Sequence, residues 1–341
     1  MASIETVDEL EDLLSQPSRG LIRTMRRLSG DIIVLGVGGK MGPTLARMAR
    51  RATDSAGKDR KIFGASRFSS PRLPDQLRSH GIEPIAIDLL DRAQLDTLPK
   101  VPNVIFMAGM KFGGHGNESL AWAMNCWLPG LICERYRDSR IVAFSTGNVY
   151  GLTPVDGGGS TENSPLNPLG DYAMSCVGRE RMFDHFSRTL RISTAIIRLN
   201  YATEMRYGVL VDLARRVWTR QPVDVAMGYV NVIWQAEASA MALQALDHAN
   251  CPPFILNVAG PETLRVRDVA ARFGEWMGRE VRYVGEEAAD ALLNDGRKGH
   301  DMFGEPCVSA EMMMRWIADW VMHGREDLGK PTHFQTRDGK F

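Results

Sequence analysis

The chain of 341 residues is long enough for one large α/β domain or for a core with a smaller lobe. Its 41 basic and 41 acidic side chains balance, so charge favours neither nucleic acid nor an anionic membrane as a partner, and no apolar run approaches the ~18 residues of a membrane span. Five scattered cysteines without a CxxC pair and seven histidines without ligand spacing predict a cytoplasmic protein with free thiols and no metal site.

The chain begins with two short amphipathic segments. They lie at residues 4–14 and 21–28, and a break that contains proline separates them. Because both precede the first strand signal, we predict an N-terminal helical extension over residues 1–30.

A strand, a glycine turn and a helix follow in that order. The apolar run at 31–35 predicts the strand, and a helical segment begins at residue 43; between them stand Gly36, Gly39, Lys40, Met41 and Gly42. One glycine makes the tight turn, one lets the backbone approach a pyrophosphate and one lets the helix pack on the strand, while the helix N-terminus attracts phosphate. We therefore predict that these five residues bind a dinucleotide cofactor. A glycine-rich turn without a ligand is the alternative.

Strand-like and helix-like segments then alternate up to residue 199. This alternation predicts a Rossmann-type doubly wound parallel sheet over residues 31–199, with helices on both faces. The strand signals lie at 61–66, 82–87, 103–108, 140–145 and 193–199, and the longest helix signals at 119–136 and 172–190.

Beyond residue 200 the alternation becomes irregular. This change predicts a smaller C-terminal substrate lobe over residues 200–230 and 251–341, and we expect residues 231–250 to return to the main sheet. The signals here are strands at 223–225 and 281–284 and helices at 209–220, 236–249, 264–277 and 309–322.

The second and third strands end in side chains that suit the adenosine half of a dinucleotide, since ligands of open parallel sheets bind beyond the carboxyl ends of the strands. Ser66 and Arg67 stand where such folds often carry an acid for the ribose hydroxyls, and a guanidinium suits a ribose 2′-phosphate instead. We therefore predict NADP, with NAD as the alternative and a solvated surface arginine as the other interpretation of Arg67. Asp88 and Leu89 stand where a carboxylate could accept a hydrogen bond from the adenine amino group.

The fourth and fifth strands end in residues that suit the reacting half. Ala108 and Gly109 let the backbone lie close to a cofactor, and Lys111 can reach a phosphate or the substrate. The hydroxyls of Thr146 and Tyr172 could converge on one carbinol or carbonyl, so that the threonine holds the oxygen while the tyrosine transfers the proton. A solvated loop lysine and a core tyrosine are the alternatives.

Together these residues resemble the extended branch of the short-chain dehydrogenase/reductase superfamily, the NAD(P)-dependent epimerases and dehydratases. The resemblance runs from about residue 31 to residue 320 and rests on the spaced glycines, on the segments at 108–112 and 145–151, on Asn125 and on Tyr172. It implies that Thr146 and Tyr172 are catalytic and that Asn125 shapes the active-site helix beside the cofactor. It also implies a homodimer in which the two long helices pair across a twofold axis.

One position departs from the family pattern. Cys176 replaces the lysine of the family's Tyr-x-x-x-Lys pair, which holds the nicotinamide ribose and lowers the pKa of the tyrosine; a thiol does neither well. Lys111 or Arg179 then supplies the charge, or the chemistry runs slowly, or dehydrogenase activity has been lost. We assign Lys111 to the catalytic set because the family places this lysine near the cofactor, and we keep Cys176 in the cofactor-binding set.

The expected substrate residues lie in loops at the same edge of the sheet. They come from the segment of the catalytic hydroxyl, from a glycine-rich loop, from the end of the sixth strand and from a loose match to a diphosphate-binding arginine of the family. The set is His115, Thr146, Asn148, Asn200, Arg206 and Arg297. For His115 the alternative is a solvent-exposed loop histidine.

These features predict an NAD(P)-dependent oxidoreductase or epimerase that acts by hydride transfer on a hydroxyl of a sugar, a sugar acid or a nucleotide sugar. The missing lysine keeps open an NAD(P)-binding sensor or regulatory protein on the same fold. A lyase or dehydratase would need an acid–base pair, which the sequence does not identify.

Overall fold

The computed structural model describes residues 4–111 and 117–339 of the chain. We number its strands and α-helices separately along the chain. The strands are β1 Ile32–Leu35, β2 Ile62–Ser66, β3 Glu83–Ala86, β4 Asn103–Phe106, β5 Arg140–Thr146, β6 Thr153–Pro154, β7 Thr194–Leu199, β8 Ala202–Thr203, β9 Val223–Asp224, β10 Tyr229–Val230, β11 Ile233–Trp234, β12 Phe254–Val258, β13 Leu264–Arg265, β14 Tyr283–Val284 and β15 Asp290–Ala291. The helices are α1 Val7–Leu14, α2 Arg19–Arg27, α3 Gly42–Ser55, α4 Leu73–Ser79, α5 Arg92–Leu95, α6 Glu118–Trp122, α7 Leu128–Arg135, α8 Gly170–Leu190, α9 Val209–Trp218, α10 Gln235–Gln244, α11 Val266–Met277, α12 Arg297–Phe303 and α13 Ala310–Met322.

The centre of the fold is a seven-stranded sheet in the order β12-β7-β5-β4-β1-β2-β3. All neighbouring strands run parallel. Because side chains alternate along a strand, Ile32 and Val34 of β1 belong to one core cluster, whereas Ile33 and Leu35 belong to the other. Both faces of the sheet are therefore buried, as a doubly wound sheet requires. The predicted fold class is confirmed.

Helices cover the two faces separately. The residues of α3 join the core of Ile32 and Val34, and α1, α2 and α10 pack on α3. The residues of α7 and α8 join the other core, where Phe183 packs edge-on against Phe106 at 5.3 Å between ring centroids. Helices α1 and α2 lie at the segments predicted to be helical at 4–14 and 21–28, and the 3-10 turn Ala245–His248 after α10 contacts β5 and β7.

One strand of the central sheet was not predicted. The edge strand β12 pairs with β7 in parallel, although it lies within the 251–341 range that the sequence analysis assigned to the substrate lobe. The predicted helix at 119–136 is also divided: a π-helical turn over Ala123–Trp127 separates α6 from α7. This turn carries Asn125, which is fully buried.

Short two-stranded pairs lie outside the central sheet, around three helices. The pairs β10 with β13, β9 with β14 and β8 with β11 come from residues after β7, and β15 pairs with β6, which precedes β7. Helices α9, α11 and α13 pack on one another beside them. No helix in the described part of the chain is both long and apolar enough to cross a membrane.

Candidate active site

The glycine turn after β1 leaves no room for side chains at two positions. Gly36 has a φ of +88°, and a Cβ there would lie 2.6 Å from the backbone nitrogen of Ala108. A Cβ at Gly42 would overlap the carbonyl group of Val37. Helix α3 begins at Gly42 without a side-chain cap on its first N–H groups. The backbone N–H groups of the first turn of α3, together with the positive end of the helix, can bind an anion such as a pyrophosphate.

A cavity of ≈ 340 Å³ opens beside this turn. It is bounded by the turn, by the ends of β4, β5 and β7, by the start of α8 and by the loop before α9. Eleven predicted site residues line it: Gly36, Gly39, Lys40, Met41, Gly42, Gly109, Lys111, Thr146, Asn148, Tyr172 and Asn200. The structure therefore brings the predicted phosphate, hydroxyl and substrate residues to one place.

The two predicted catalytic hydroxyls meet in this cavity. The phenol of Tyr172 is hydrogen-bonded to the hydroxyl of Thr146 and to the thiol of Cys176. Burial raises the pKa of Tyr172 well above its ordinary value; Cys176 raises it further, whereas the charge of Arg179 and the Thr146 hydrogen bond lower it. Cys176 is fully buried. Burial raises the pKa of its thiol, so it stays neutral and supplies no cation.

Arg179 holds a buried position under the cavity floor. Its guanidinium donates to the carbonyl of Phe144 at 2.8 Å and to Oδ1 of Asn125, and a Cβ at Gly109 would overlap it. Asn125 also donates to the carbonyl of Met110 at 2.9 Å. Asn125, Ala108 and Cys176, which were predicted to bind the cofactor, are not among the residues that line the cavity, and Arg179 is the cation whose charge lowers the pKa of Tyr172.

Two lysines lie in the same cavity. Lys111 places Nζ 5.8 Å from the ring centroid of Tyr172, and burial lowers its pKa to about 8. Lys40 places Nζ 3.3 Å from the ring centroid of Tyr207. Burial, then the charges of Lys111 and Lys330, lower the pKa of Lys40 to about 7. Among the described residues that line the cavity there is no aspartate or glutamate.

A buried ion pair lies next to the segment that carries Thr146. Arg198 of β7 and Glu180 of α8 approach to 2.7 Å, with side chains only 4% and 6% exposed. The hydroxyl of Ser145, the neighbour of Thr146, donates to Glu180 at 2.6 Å, and Arg198 donates to the hydroxyl of Tyr150 at 2.6 Å. These bonds join β5, β7 and α8 next to the residue that precedes Thr146.

The predicted adenosine residues lie beyond the ends of β2 and β3. Ser66 is half-buried and ends β2, and Leu89 is buried. Nη1 of Arg67 lies 4.0 Å from Oδ2 of Asp88, and both side chains are largely exposed. The arrangement leaves the guanidinium accessible beside the glycine turn.

Two predicted substrate residues are not brought into the cavity. Arg206 is buried and donates to Glu204 at 3.2 Å and to Glu11 of α1 at 3.2 Å, so ion pairs hold it on the N-terminal helix. Arg297 pairs with Asp295, and its side chain is 82% exposed. Neither is among the residues that line the cavity. His115 lies outside the described residues.

Other cavity residues were missed by the sequence analysis. Tyr207 and Gln235 line it, and so does Thr332 from the segment after α13. Both the backbone N–H and the hydroxyl of Thr332 donate to Asp212 of α9, at 2.8 and 2.6 Å. Nothing in the local pattern around Thr332 indicates this contact, because it joins residues 120 positions apart.

Comparisons with known proteins agree with this architecture. The model of the NAD dependent epimerase/dehydratase family matches residues 32–203. No curated protein matches the chain.

Solved structures share the fold at low sequence identity. The protein MoeE5 in complex with UDP-glucose and NAD is 17% identical, with a TM-score of 0.71 over 86% of this chain and 99% of its own. UDP-glucuronic acid 4-epimerase from Bacillus cereus, in complex with UDP-glucuronic acid and NAD, is 16% identical, with a TM-score of 0.71 over 86% of this chain and 99% of its own. UDP-glucose 4-epimerase from Thermotoga maritima, with UDP-glucose, is 15% identical, with a TM-score of 0.72 over the same shares.

Proposed function

Because the chain belongs to the NAD dependent epimerase/dehydratase family, we propose that it is an NAD(P)-dependent oxidoreductase or epimerase acting on a hydroxyl of a sugar, a sugar acid or a nucleotide sugar. The observation that carries the proposal is the Thr146–Tyr172 hydroxyl pair, which lies in one cavity with the glycine turn. The substrates named for MoeE5 and the Bacillus cereus epimerase, UDP-glucose and UDP-glucuronic acid, support a nucleotide sugar.

The cofactor site is formed by the chain's own backbone and side chains. The N–H groups at the start of α3 can donate hydrogen bonds to the pyrophosphate. Gly36 has no side chain, so the pyrophosphate can come close to the backbone there. Ser66 and Arg67 suit a ribose 2′-phosphate, and we propose NADP on that ground, although the structures of MoeE5 and of the Bacillus cereus epimerase contain NAD. When bound, the nicotinamide accepts a hydride from the substrate carbon and can return it.

The residues of the cavity handle the proton. Thr146 holds the substrate oxygen by a hydrogen bond, and Tyr172 takes the hydroxyl proton or gives it back. Because burial holds the pKa of Tyr172 high, proton removal needs positive charge nearby. Arg179 supplies it beneath the phenol, and Lys111 adds to it from the side of the ring.

A second candidate is an NAD(P)-binding sensor without turnover, and Cys176 is the observation that favours it. The neutral thiol occupies the position of the family's lysine and is hydrogen-bonded to the catalytic phenol. If the protein binds cofactor but stays silent with every sugar, and Cys176→Lys then starts turnover, the sensor is the correct assignment.

The enzyme proposal is tested by the absorbance of the reduced nicotinamide in the presence of UDP-sugars, free sugars and sugar acids. We expect Tyr172→Phe to lower the rate by roughly 10²–10⁴-fold while cofactor binding persists. Tyr283→Phe is the matched control, since it removes a phenol that hydrogen-bonds Arg267 away from the cavity. Equal rates for the wild type and Tyr172→Phe would rule out the proposed proton transfer.

We also propose a homodimer. Leu120, Trp122 and Trp127 on the α6–α7 segment and Met174 on α8 are exposed, and Trp127 reaches 51%. These four side chains are hereafter the α6–α8 patch. Exposed large apolar side chains that cluster on two neighbouring helices mark an interaction surface, and the two helices are those that the family resemblance pairs across a twofold axis.

The five free cysteines favour a reducing compartment such as the cytoplasm.

A further inference from the structure

We infer that Lys40 and Lys111 form an anion site at the substrate end of the cavity, and that it takes a carboxylate or phosphate group carried by the substrate. This inference rests on the proposed function, because it assigns a recognition element of the same cavity. It narrows the substrate from any sugar to one that bears an anionic group near the reacting carbon.

The two ammonium groups come from separate elements and lie against the reacting residues. Lys40 belongs to the glycine turn, and its Nζ stands 3.3 Å from the ring centroid of Tyr207, in the loop before α9. Lys111 follows β4, and its Nζ stands 5.8 Å from the ring centroid of the catalytic Tyr172. A group bound between them is therefore held next to the site of proton transfer.

The charge of the cavity is one-sided. Lys40, Lys111 and Arg179 line it, and its lining within the described ranges includes no carboxylate. Lys330 adds a further positive charge toward Lys40, while Asp212 is the acid that acts on both lysines. One oxygen of Asp212 already accepts two hydrogen bonds from Thr332. Like charges brought together in a buried site are stabilised by an anion between them.

The cofactor's pyrophosphate has its own donors in the backbone at the start of α3. Nζ of Lys40 lies over the ring of Tyr207, and Nζ of Lys111 lies 5.8 Å from the ring centroid of Tyr172. Both ammonium groups thus face the part of the cavity where substrate is expected. A substrate oxyanion accounts for their placement better than the cofactor does.

Binding an anion should change the protonation of the two lysines. Burial and then the charge of Lys111 lower the pKa of Lys40 to about 7, and burial lowers the pKa of Lys111 to about 8. At pH 8 Lys40 is mostly neutral and Lys111 about half charged. An anion favours the charged forms and raises both pKa values, so binding takes up protons from solution.

The test is calorimetric titration at pH 8 with glucuronate, glucose, UDP-glucuronic acid and UDP-glucose, in buffers of different ionisation enthalpy. The proteins are the wild type, Lys40→Met and the control Lys58→Met, which removes a fully exposed lysine. We expect Lys40→Met to weaken the binding of the anionic ligands roughly 10–100-fold. When these ligands bind, the variant should take up roughly one proton fewer from solution than the wild type does. Its affinity for NAD(P) should change less than threefold. Comparing the binding of glucuronate with that of UDP-glucose shows whether the bound group is a carboxylate or a phosphate.

Each alternative result overturns the inference. An unchanged affinity for all anionic ligands in Lys40→Met would show that Lys40 recognises none of them. An equal loss of NAD(P) binding would assign Lys40 to the pyrophosphate. If the wild type binds no pyridine nucleotide, the proposed function fails, but glucuronate titrated into the cofactor-free protein still decides the anion site: binding that Lys40→Met weakens supports the site, and no binding refutes it.

Discussion

Glu180→Gln should destabilise the protein more than any surface change, because it breaks the buried ion pair between Glu180 and Arg198. Arg198 approaches Glu180 at 2.7 Å in an environment where both side chains are more than nine-tenths buried. Glutamine keeps the size and one acceptor, but it leaves the guanidinium without a counter-charge. Removing one partner of such a pair costs about 3–5 kcal/mol, which is roughly 4–7 °C in melting temperature for a chain of 341 residues.

The melting temperature is measured by circular dichroism, with Glu311→Gln as the matched control. Glu311 pairs with Arg315 at 2.7 Å on the surface of α13, where both side chains are about half exposed. Such a pair contributes about 0.3–0.5 kcal/mol, so the control should change the melting temperature by roughly 2 °C or less. Similar small shifts for both variants would refute the reasoning that burial makes the Glu180–Arg198 pair indispensable.

Three further outcomes follow from the site and its surroundings. Arg67→Ala should weaken NADP binding about tenfold and leave NAD binding unchanged, whereas the exposed Arg72→Ala should alter neither; equal effects on both cofactors would remove the NADP assignment. Trp127→Glu should convert a dimer into a monomer in light scattering, and a wild-type monomer would contradict the dimer. Arg179→Met should raise the pKa of Tyr172, so that in the oxidation direction the limb on which the rate rises with pH moves to higher pH and the rate at neutral pH falls about tenfold per unit of pKa; Arg179→Lys should restore part of the rate, and an unmoved limb would show that the charge of Arg179 does not act on the phenol.

The parts of the site that follow from local pattern were predictable. Gly36 and Gly42 are required where the chain turns and where a helix packs on it, and both requirements leave a spacing in the sequence. The contact between Thr146 and Tyr172 was predicted because a parallel sheet places the end of β5 next to the helix that follows it. The topology of a parallel sheet therefore determines which short motifs lie close together, and the sequence pattern is enough to predict it.

Contacts between distant residues were not predictable in the same way. Arg206 was expected to contact the substrate because it follows the carboxyl end of β7. Its guanidinium instead pairs with Glu11, 195 positions away. The edge strand β12 is short and follows two prolines, so its pattern does not distinguish it from a loop. Arg179 was named from the sequence as the alternative to Lys111 for the positive charge, but its bond to the backbone carbonyl of Phe144, 35 positions away, was not predicted.

The position of β1 in the middle of the sheet has a consequence for biosynthesis. β1 pairs with β2 on one side and with β4 on the other, so the sheet grows outward from the first strand in both directions as the chain leaves the ribosome. The last strand to join, β12, covers the edge of β7 only after residue 258 has emerged. Until then a long apolar edge is open to pairing with other nascent chains, and ribosome-associated chaperones are expected to bind during that interval.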